Sequence, residues 1–137
     1  MTDQAYYLQK AVHAALIGNA GVTALVPARD IADLGGVPTL FPSIIVGEGQ
    51  IVDEGQRIDR SVNRVYLTLH VWTSEPHLNQ VKKIGGALRR AINSTRITLE
   101  GGFHLGDIRI DDTRYLRDPS GENGHGVVTI NALVGGA

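Results

Sequence analysis

In the stretch RVYLTLHVWT, residues 64–73, apolar side chains fall on every second position. Val65, Leu67, Leu69 and Val71 share one side of such a segment, and Tyr66, Thr68, His70 and Trp72 share the other, because successive strand side chains point to opposite faces. β-Branched and aromatic residues enrich the run, and neither Gly nor Pro interrupts it. The pattern predicts a strand with one face in a core and an amphipathic second face.

The flanks extend this reading. Upstream, SIIVGEGQ (residues 43–50) follows Pro42 and reads as a second strand. Between the two lies IVDEGQRIDRSVN (51–63), charged and glycine-containing, which is either a mobile loop or the extended tip of a long hairpin. Downstream, TSEPHLNQVKKIGGALRRAIN (73–93) reads as a helix, with Ser74 at the N-cap, Glu75 at the positive end of the dipole and Pro76 in the first turn. Leu78, Val81, Ile84, Leu88 and Ile92 mark its buried side. Lys83 and Arg90 point away from that side and Lys82 and Arg89 flank them. Gly85-Gly86 costs helix propensity and predicts close packing on a sheet.

Toward the N-terminus, Leu8, Ala11, Val12, Ala15 and Leu16 form one stripe of a helix from about Asp3 to Gly18. Asn19 suits the cap of a short helical segment ending near Val26, before Pro27, and Ile31 sits in a brief strand or extended loop. The last third gives a short RITL (96–99) and strands from about Phe103 to Leu116 and Val127 to Val134. Helix, strands, helix, strands in one chain of 137 residues predicts a single α+β domain over 1–137, a mainly antiparallel sheet packed against two helices.

Composition narrows the function. Apolar residues make up 42% and charged residues 20%, and the formal charge of −1 argues against broad phosphate neutralisation. Cysteine is absent, which removes disulfides, thiolate nucleophiles and cysteine zinc sites. No apolar run is long enough for a bilayer and no signal-like N-terminus is visible, so a membrane role is not expected and synthesis in the cytoplasm is.

The segment RYLRDPSGENGHGVVTINAL (114–133) gathers Asp118, Glu122 and His125 among glycines and invites a catalytic reading. Asp-Pro followed by Ser-Gly is turn chemistry between two apolar runs, so it reads as the bend of a hairpin. His13, His70, His77, His104 and His125 show no paired metal-ligand spacing and read as surface or half-buried imidazoles. Asp111-Asp112 lies in a strand, where neighbours face opposite ways and do not share a ligand. GEGQIVDEG lacks the Gly-Lys-Ser/Thr ending of a phosphate loop. Lys82, Lys83, Arg89 and Arg90 read as a solvated helix face. No catalytic residue, cofactor or metal is expected. Tyr6, His13 and Ile17 fall on the side of the first helix opposite its core stripe, and an exposed aromatic in line with an isoleucine can mark a partner surface.

The phrases LQKAVHAALIGNAGVTALVPARDIAD, FPSIIVGEGQ, LTLHVWTSE, IGGALRRAIN and TRYLRDPSGENGHGVVTINALV cover nearly the whole chain. In them the sequence resembles the tail-completion or tail-terminator proteins of long-tailed phages, prophages and gene transfer agents, a group similar to the lambda-type tail terminator. The resemblance implies a structural virion subunit without enzymatic activity. It implies a homo-oligomeric ring of six that caps the tail tube at its upper end after assembly in the host cytoplasm. Tail tube protein and a head-tail connector or neck protein are the implied partners, with DNA passing through the ring without being specifically bound. A small-ligand-binding regulatory α+β domain and a small hydrolase built around His70 or His125 are the competing classes. Within the 51–63 segment, Asp53, Glu54, Arg57, Asp59 and Arg60 alternate in sign among sparse aliphatics. That pattern suits a subunit or tail interface, to which Tyr6 and Ile17 are added.

Overall fold

A computed structural model describes residues 3–33, 40–53, 61–74 and 78–136. In chain order it contains α1 (Gln4–Ile17), α2 (Ala20–Thr23), a 3-10 turn (Ala28–Asp30), β1 (Ile31–Ala32), β2 (Ser43–Asp53), β3 (Asn63–Thr73), α3 (Asn79–Ser94), β4 (His104–Arg117) and β5 (Gly124–Gly135). Among the described residues the strands form one five-stranded sheet ordered β1-β2-β3-β5-β4. β1 runs parallel to β2, and every other pair is antiparallel. This is the expected α+β architecture, with the parallel β1 making the sheet mixed.

Alternation in β3 decides where the core lies. Val65, Leu67, Leu69 and Val71 are buried and stand in register with Ala132, Ile130, Val128 and Gly126 of β5. α1 covers β1 to β3 and α3 covers β3 to β5, so both helices occupy one face. Leu8, Val12 and Leu16 of α1 and Val81, Ile84, Leu88 and Ile92 of α3 join the same apolar cluster. Each side chain of this size contributes roughly 1.5–3 kcal/mol when fully removed from water. Gln4 is buried too, and its amide is satisfied: Asn63 Nδ2 donates to Gln4 Oε1 at 2.7 Å, tying the start of α1 to the start of β3.

Local chemistry explains the ends of the elements. Asp3 caps α1 by accepting from the Tyr6 amide, and Asn19 caps α2 by accepting from the Val22 amide. Ser74 does not cap α3. The helix begins at Asn79, with Leu78 at the N-cap position and no side-chain cap bond, while Glu75, Pro76 and His77 lie outside the described residues. Proline disfavours helical geometry in the residue before it, and the apolar stripe that α3 buries starts only at Val81. Residues 96–99 form no regular element, yet Ile97 and Leu99 pack against the core. The 51–63 segment is partly strand: β2 runs to Asp53, which pairs with Asn63, so the extended-tip reading holds at its base.

Gly85 shows why α3 tolerates a glycine pair. A Cβ there would overlap Tyr115 Oη and stand 2.9 Å from Tyr115 Cζ, so the Tyr115 ring on β4 occupies the space a side chain would need. At Gly86 the nearest heavy atom would be Arg90 Nη1 at 3.6 Å. The two glycines therefore respond oppositely to the same substitution. Gly86→Ala is expected to stabilise the fold by up to about 1 kcal/mol through helix propensity. Gly85→Ala is expected to destabilise it, since overpacking of about 1–3 kcal/mol outweighs that gain. Adding Tyr115→Phe to Gly85→Ala should recover part of the loss, and thermal melts of the four proteins check all three statements.

Candidate functional site

The acidic, glycine-rich stretch before β5 is a turn. Asp118 is its organiser: its carboxylate accepts from Ser120 Oγ at 2.7 Å, Asn123 Nδ2 at 3.0 Å and the amides of Glu122 and Asn123. Those bonds hold the Asp118 carboxyl below its ordinary pKa, the Ser120 hydroxyl contributing most. Gly121 has φ +75°, a conformation that side chains rarely adopt. The side-chain hydrogen bonds of Asp118 go into shaping the β4–β5 connection, which is structural work.

The face of the sheet away from the helices carries the chemistry that spacing could not reveal. Trp72 of β3 and His125 of β5 are direct cross-strand partners, and their rings stack at 3.9 Å with 8° between planes. His70 lies diagonally across, its Nδ1 2.9 Å from His125 Nε2. The ring centroids of the two histidines are 5.2 Å apart, which is the N···N distance plus two ring radii. The imidazoles therefore meet edge to edge through a hydrogen bond. On its other side His70 Nε2 is 2.9 Å from Glu48 Oε1, at the β2 bulge between Val46 and Gly49. An ionised carboxylate can only accept, so His70 Nε2 carries a proton and its Nδ1 accepts from His125 Nε2 in the neutral pair. A Cβ at Gly47 would come within 2.9 Å of the His70 ring, which leaves that position to glycine. Ile45, Trp72 and Val127 are buried on this face, outside the main core.

The same face holds a polar chain nearer the other end of the strands. Arg64 Nη1 donates to Asn131 Oδ1 at 2.8 Å, and Asn131 Nδ2 donates to the Asp111 carboxylate at 3.1 Å, which also accepts from Arg109 Nε at 3.2 Å. Asp111 sits at a bulge between Ile110 and Asp112. Alternation breaks there and both aspartates are exposed, so the simple opposite-face expectation for this pair is corrected. A bulge sets two residues against one and re-aims the side chains.

Of the proposed interface residues, Tyr6 and Ile17 are exposed on α1, 52% and 39% respectively. Asp53 ends β2 and is engaged in an interaction of its own. Glu54, Arg57, Asp59 and Arg60 lie outside the described residues. His13 is half-buried, its Nε2 2.8 Å from the Ile31 carbonyl, so the Tyr6–His13–Ile17 line flanks β1 and does not face straight into solvent. A groove of about 580 Å³ runs beside it, lined by Tyr6, Gln9, Asp33, Gln50 and Ile51 among others. His104 is exposed at the start of β4, and His77 lies outside the described residues. Among the described residues no cluster of three or more His, Cys, Asp or Glu is placed to hold a metal ion. No helix among them is long and apolar enough to cross a membrane.

Comparison with known proteins supplies the context. Residues 10–135 match the family model described as tail completion protein gp17. The fold is similar to a chain in the virion of a native gene transfer agent particle, with a TM-score of 0.84 at 18% identity, covering 98% of this chain and 100% of that one. It is also similar to the gp17 protein of bacteriophage SPP1, with a TM-score of 0.62 at 18% identity, covering 93% of this chain and 88% of that one. No curated protein sequence gives a significant match.

His125 makes stability depend on pH. His125 has its pKa lowered from 6.5, first by burial and then by the neighbouring His70. The unfolded chain therefore binds more protons than the folded one just below pH 6.5. The stability contributed by neutral His125 is complete above that pH and declines as pH falls below it toward the folded value. Glu48 adds a second loss at lower pH, since its own backbone amide and the His70 ring hold its carboxyl below 4.5. Urea unfolding between pH 7.5 and 5 should show a falling midpoint in wild type. His125→Phe keeps a ring on Trp72 but cannot titrate, and should flatten that fall.

Proposed function

Because the chain belongs to the tail completion protein gp17 family, and is a structural protein of the phage or gene transfer agent tail, we propose that it is the subunit of a ring that finishes the tail tube. Six copies form the ring on the upper end of the tube, stop further addition of tube protein and present the surface to which the head is joined. Tube protein meets one side and a connector or neck protein the other, while DNA passes through without being held. Assembly takes place in the host cytoplasm.

The observation that carries this reading is the family match over residues 10–135. The fold shared along the full length of a gene transfer agent virion chain supports it. Physical features agree: the described polar clusters satisfy one another, and the grooves beside α1 are open to solvent rather than enclosed. A ligand-binding regulatory domain would need a concave apolar pocket with a few convergent polar groups, so it is the less supported reading. Tyr6, Ile17, Asp53 and the segment holding Glu54, Arg57, Asp59 and Arg60 are proposed as subunit or tail contacts.

The test is the mass of the protein in solution and on tubes. Native mass spectrometry of the protein mixed with assembled tail tubes should give a six-subunit species, and electron microscopy should show it at the upper tube end. A chain that remains monomeric and never appears on purified tails would overturn the proposal.

A further inference from the structure

The two lateral flanks of the sheet differ in charge. Helix α3 (Asn79–Ser94) has no Asp or Glu, but it has Lys82, Lys83, Arg89 and Arg90. All four are exposed, and the ion pairs of the described residues involve none of them. Lys82 and Arg89 stand at i−3 and i+4 from Gly85, so all three share a stripe of α3. Gly85 is where α3 meets Tyr115 of β4, which places this stripe on the β4 side of the molecule. The charges of β4 itself balance: Asp107, Asp111 and Asp112 against Arg109, Arg114 and Arg117. That flank is therefore cationic.

The opposite flank is formed by α1, β1 and β2. Its groove is rimmed by Asp3 and Asp33 and floored by Gly49, Gln50 and Ile51, with Tyr6 and Ile51 both substantially exposed. Lys10 is nearby but is tied to Glu100 at 2.7 Å, and Arg29 lies 4.0 Å from Asp30. β1 pairs with β2 at Ile44 and Ile45. Beyond them, from Gly49 to Asp53, the described ladder of β2 is to β3 on one side. This flank is anionic, partly apolar and open.

We infer that the acidic α1/β2 flank of one copy seats the basic α3/β4 flank of the next, so that the ring proposed above closes head to tail by charge complementarity. The inference rests on the ring reading and specifies its subunit contact. Two unlike patches at opposite edges of one chain, in fixed one-to-one ratio and of opposite sign, are what a heterologous interface requires. Strand direction agrees. β3 is antiparallel to β2, β5 to β3 and β4 to β5, so rotation about a ring axis brings β4 of one copy toward β2 of the next in antiparallel sense. The bulges of β4 at Gly106 and Asp111 blunt it as a template for a continuous ladder. Charge and the exposed apolar side chains of Tyr6 and Ile51 therefore define the seat. A polyanion such as DNA would use the basic flank alone and leave the acidic groove unexplained.

Two charge-reversed proteins test this. One carries Lys82→Glu, Lys83→Glu, Arg89→Glu and Arg90→Glu, and the other carries Asp33→Lys and Gln50→Lys. All six positions are surface positions, and thermal melts check that each protein folds. The milder pair Lys82→Gln with Arg89→Gln stands in if the fourfold variant fails to fold. Light scattering should show each reversed protein associating roughly tenfold or more weakly than wild type, more so at low salt. An equimolar mixture should associate again, because each supplies the sign the other lacks. Self-association of either reversed protein at wild-type strength would overturn the inference, as would a mixture no better than its parts. Loss of duplex DNA binding by the fourfold variant with unchanged assembly would assign the basic flank to nucleic acid instead. If wild type itself never assembles, on or off tubes, the ring reading fails, and that result is distinct from failure of this contact.

Discussion

The uninterrupted ladder between β3 and β5, from Asn63 opposite Val134 to Thr73 opposite Gly124, is the constraint on which the remaining structure depends. It fixes the side of every residue in the two central strands. With this register Val65, Leu67, Leu69 and Val71 lie beneath the helices, and Trp72, His70 and His125 come together on the far face. A slip of one residue would exchange the two faces. It would press imidazoles and a buried asparagine into the aliphatic core, where a polar group without partners costs about 1–3 kcal/mol by mutational measures. The bulges fall in β2 and β4, the strands that flank this central pair. Irregularity is tolerated there because it does not propagate across the central pair.

Much of that framework is legible in the sequence, for reasons that are local. The alternation at Val65 to Val71 needs no partner to be recognised, and neither does the i, i+4 stripe of Leu8, Val12 and Leu16. The caps Asp3 and Asn19 act within three residues of themselves. What is not legible depends on distance or on competition. His70 and His125 are separated by 55 positions, so only the strand register could place them together. Spacing alone gives each only as a surface or half-buried imidazole; both are half-buried, and their pairing is not visible in the sequence. A usable signal exists in hindsight: two strands that each carry a histidine beside an aromatic or β-branched residue on the amphipathic face. The Asp111 bulge breaks a period-two rule without any glycine or proline to announce it. The sequence pattern starts α3 too early, because Ser74, Glu75 and Pro76 satisfy every N-terminal preference, while Leu78 and Val81 decide where burial begins. Function is legible through resemblance in whole phrases of sequence, and no catalytic spacing contributes to it.

A tail subunit that acts through surfaces needs those surfaces held rigidly relative to one another, and α1 shows how this is done. Its core residues Leu8, Val12 and Leu16 share a stripe with Gln4, whose amide locks onto Asn63 at the start of β3. One flank away, Tyr6 and Ile17 stay exposed while His13 bonds the Ile31 carbonyl, so the helix is tied to both the central strand and the sheet edge. Lys10 reaches across to Glu100 on the remaining side, but an exposed pair of this kind contributes little stability of its own. Its physical effect is to occupy a cation that would otherwise dilute the acidic character of the α1/β2 flank. The helix is thus buried by one stripe, hydrogen-bonded to the sheet by a second and neutralised on a third. What remains facing outward beside β2 is a narrow set of apolar and acidic groups. Burial energy fixes where they stand, so their geometry is inherited from the core and does not have to be assembled at the moment of contact. Pre-set geometry of this sort reduces the ordering cost of association, and in the proposed ring that cost recurs at every interface.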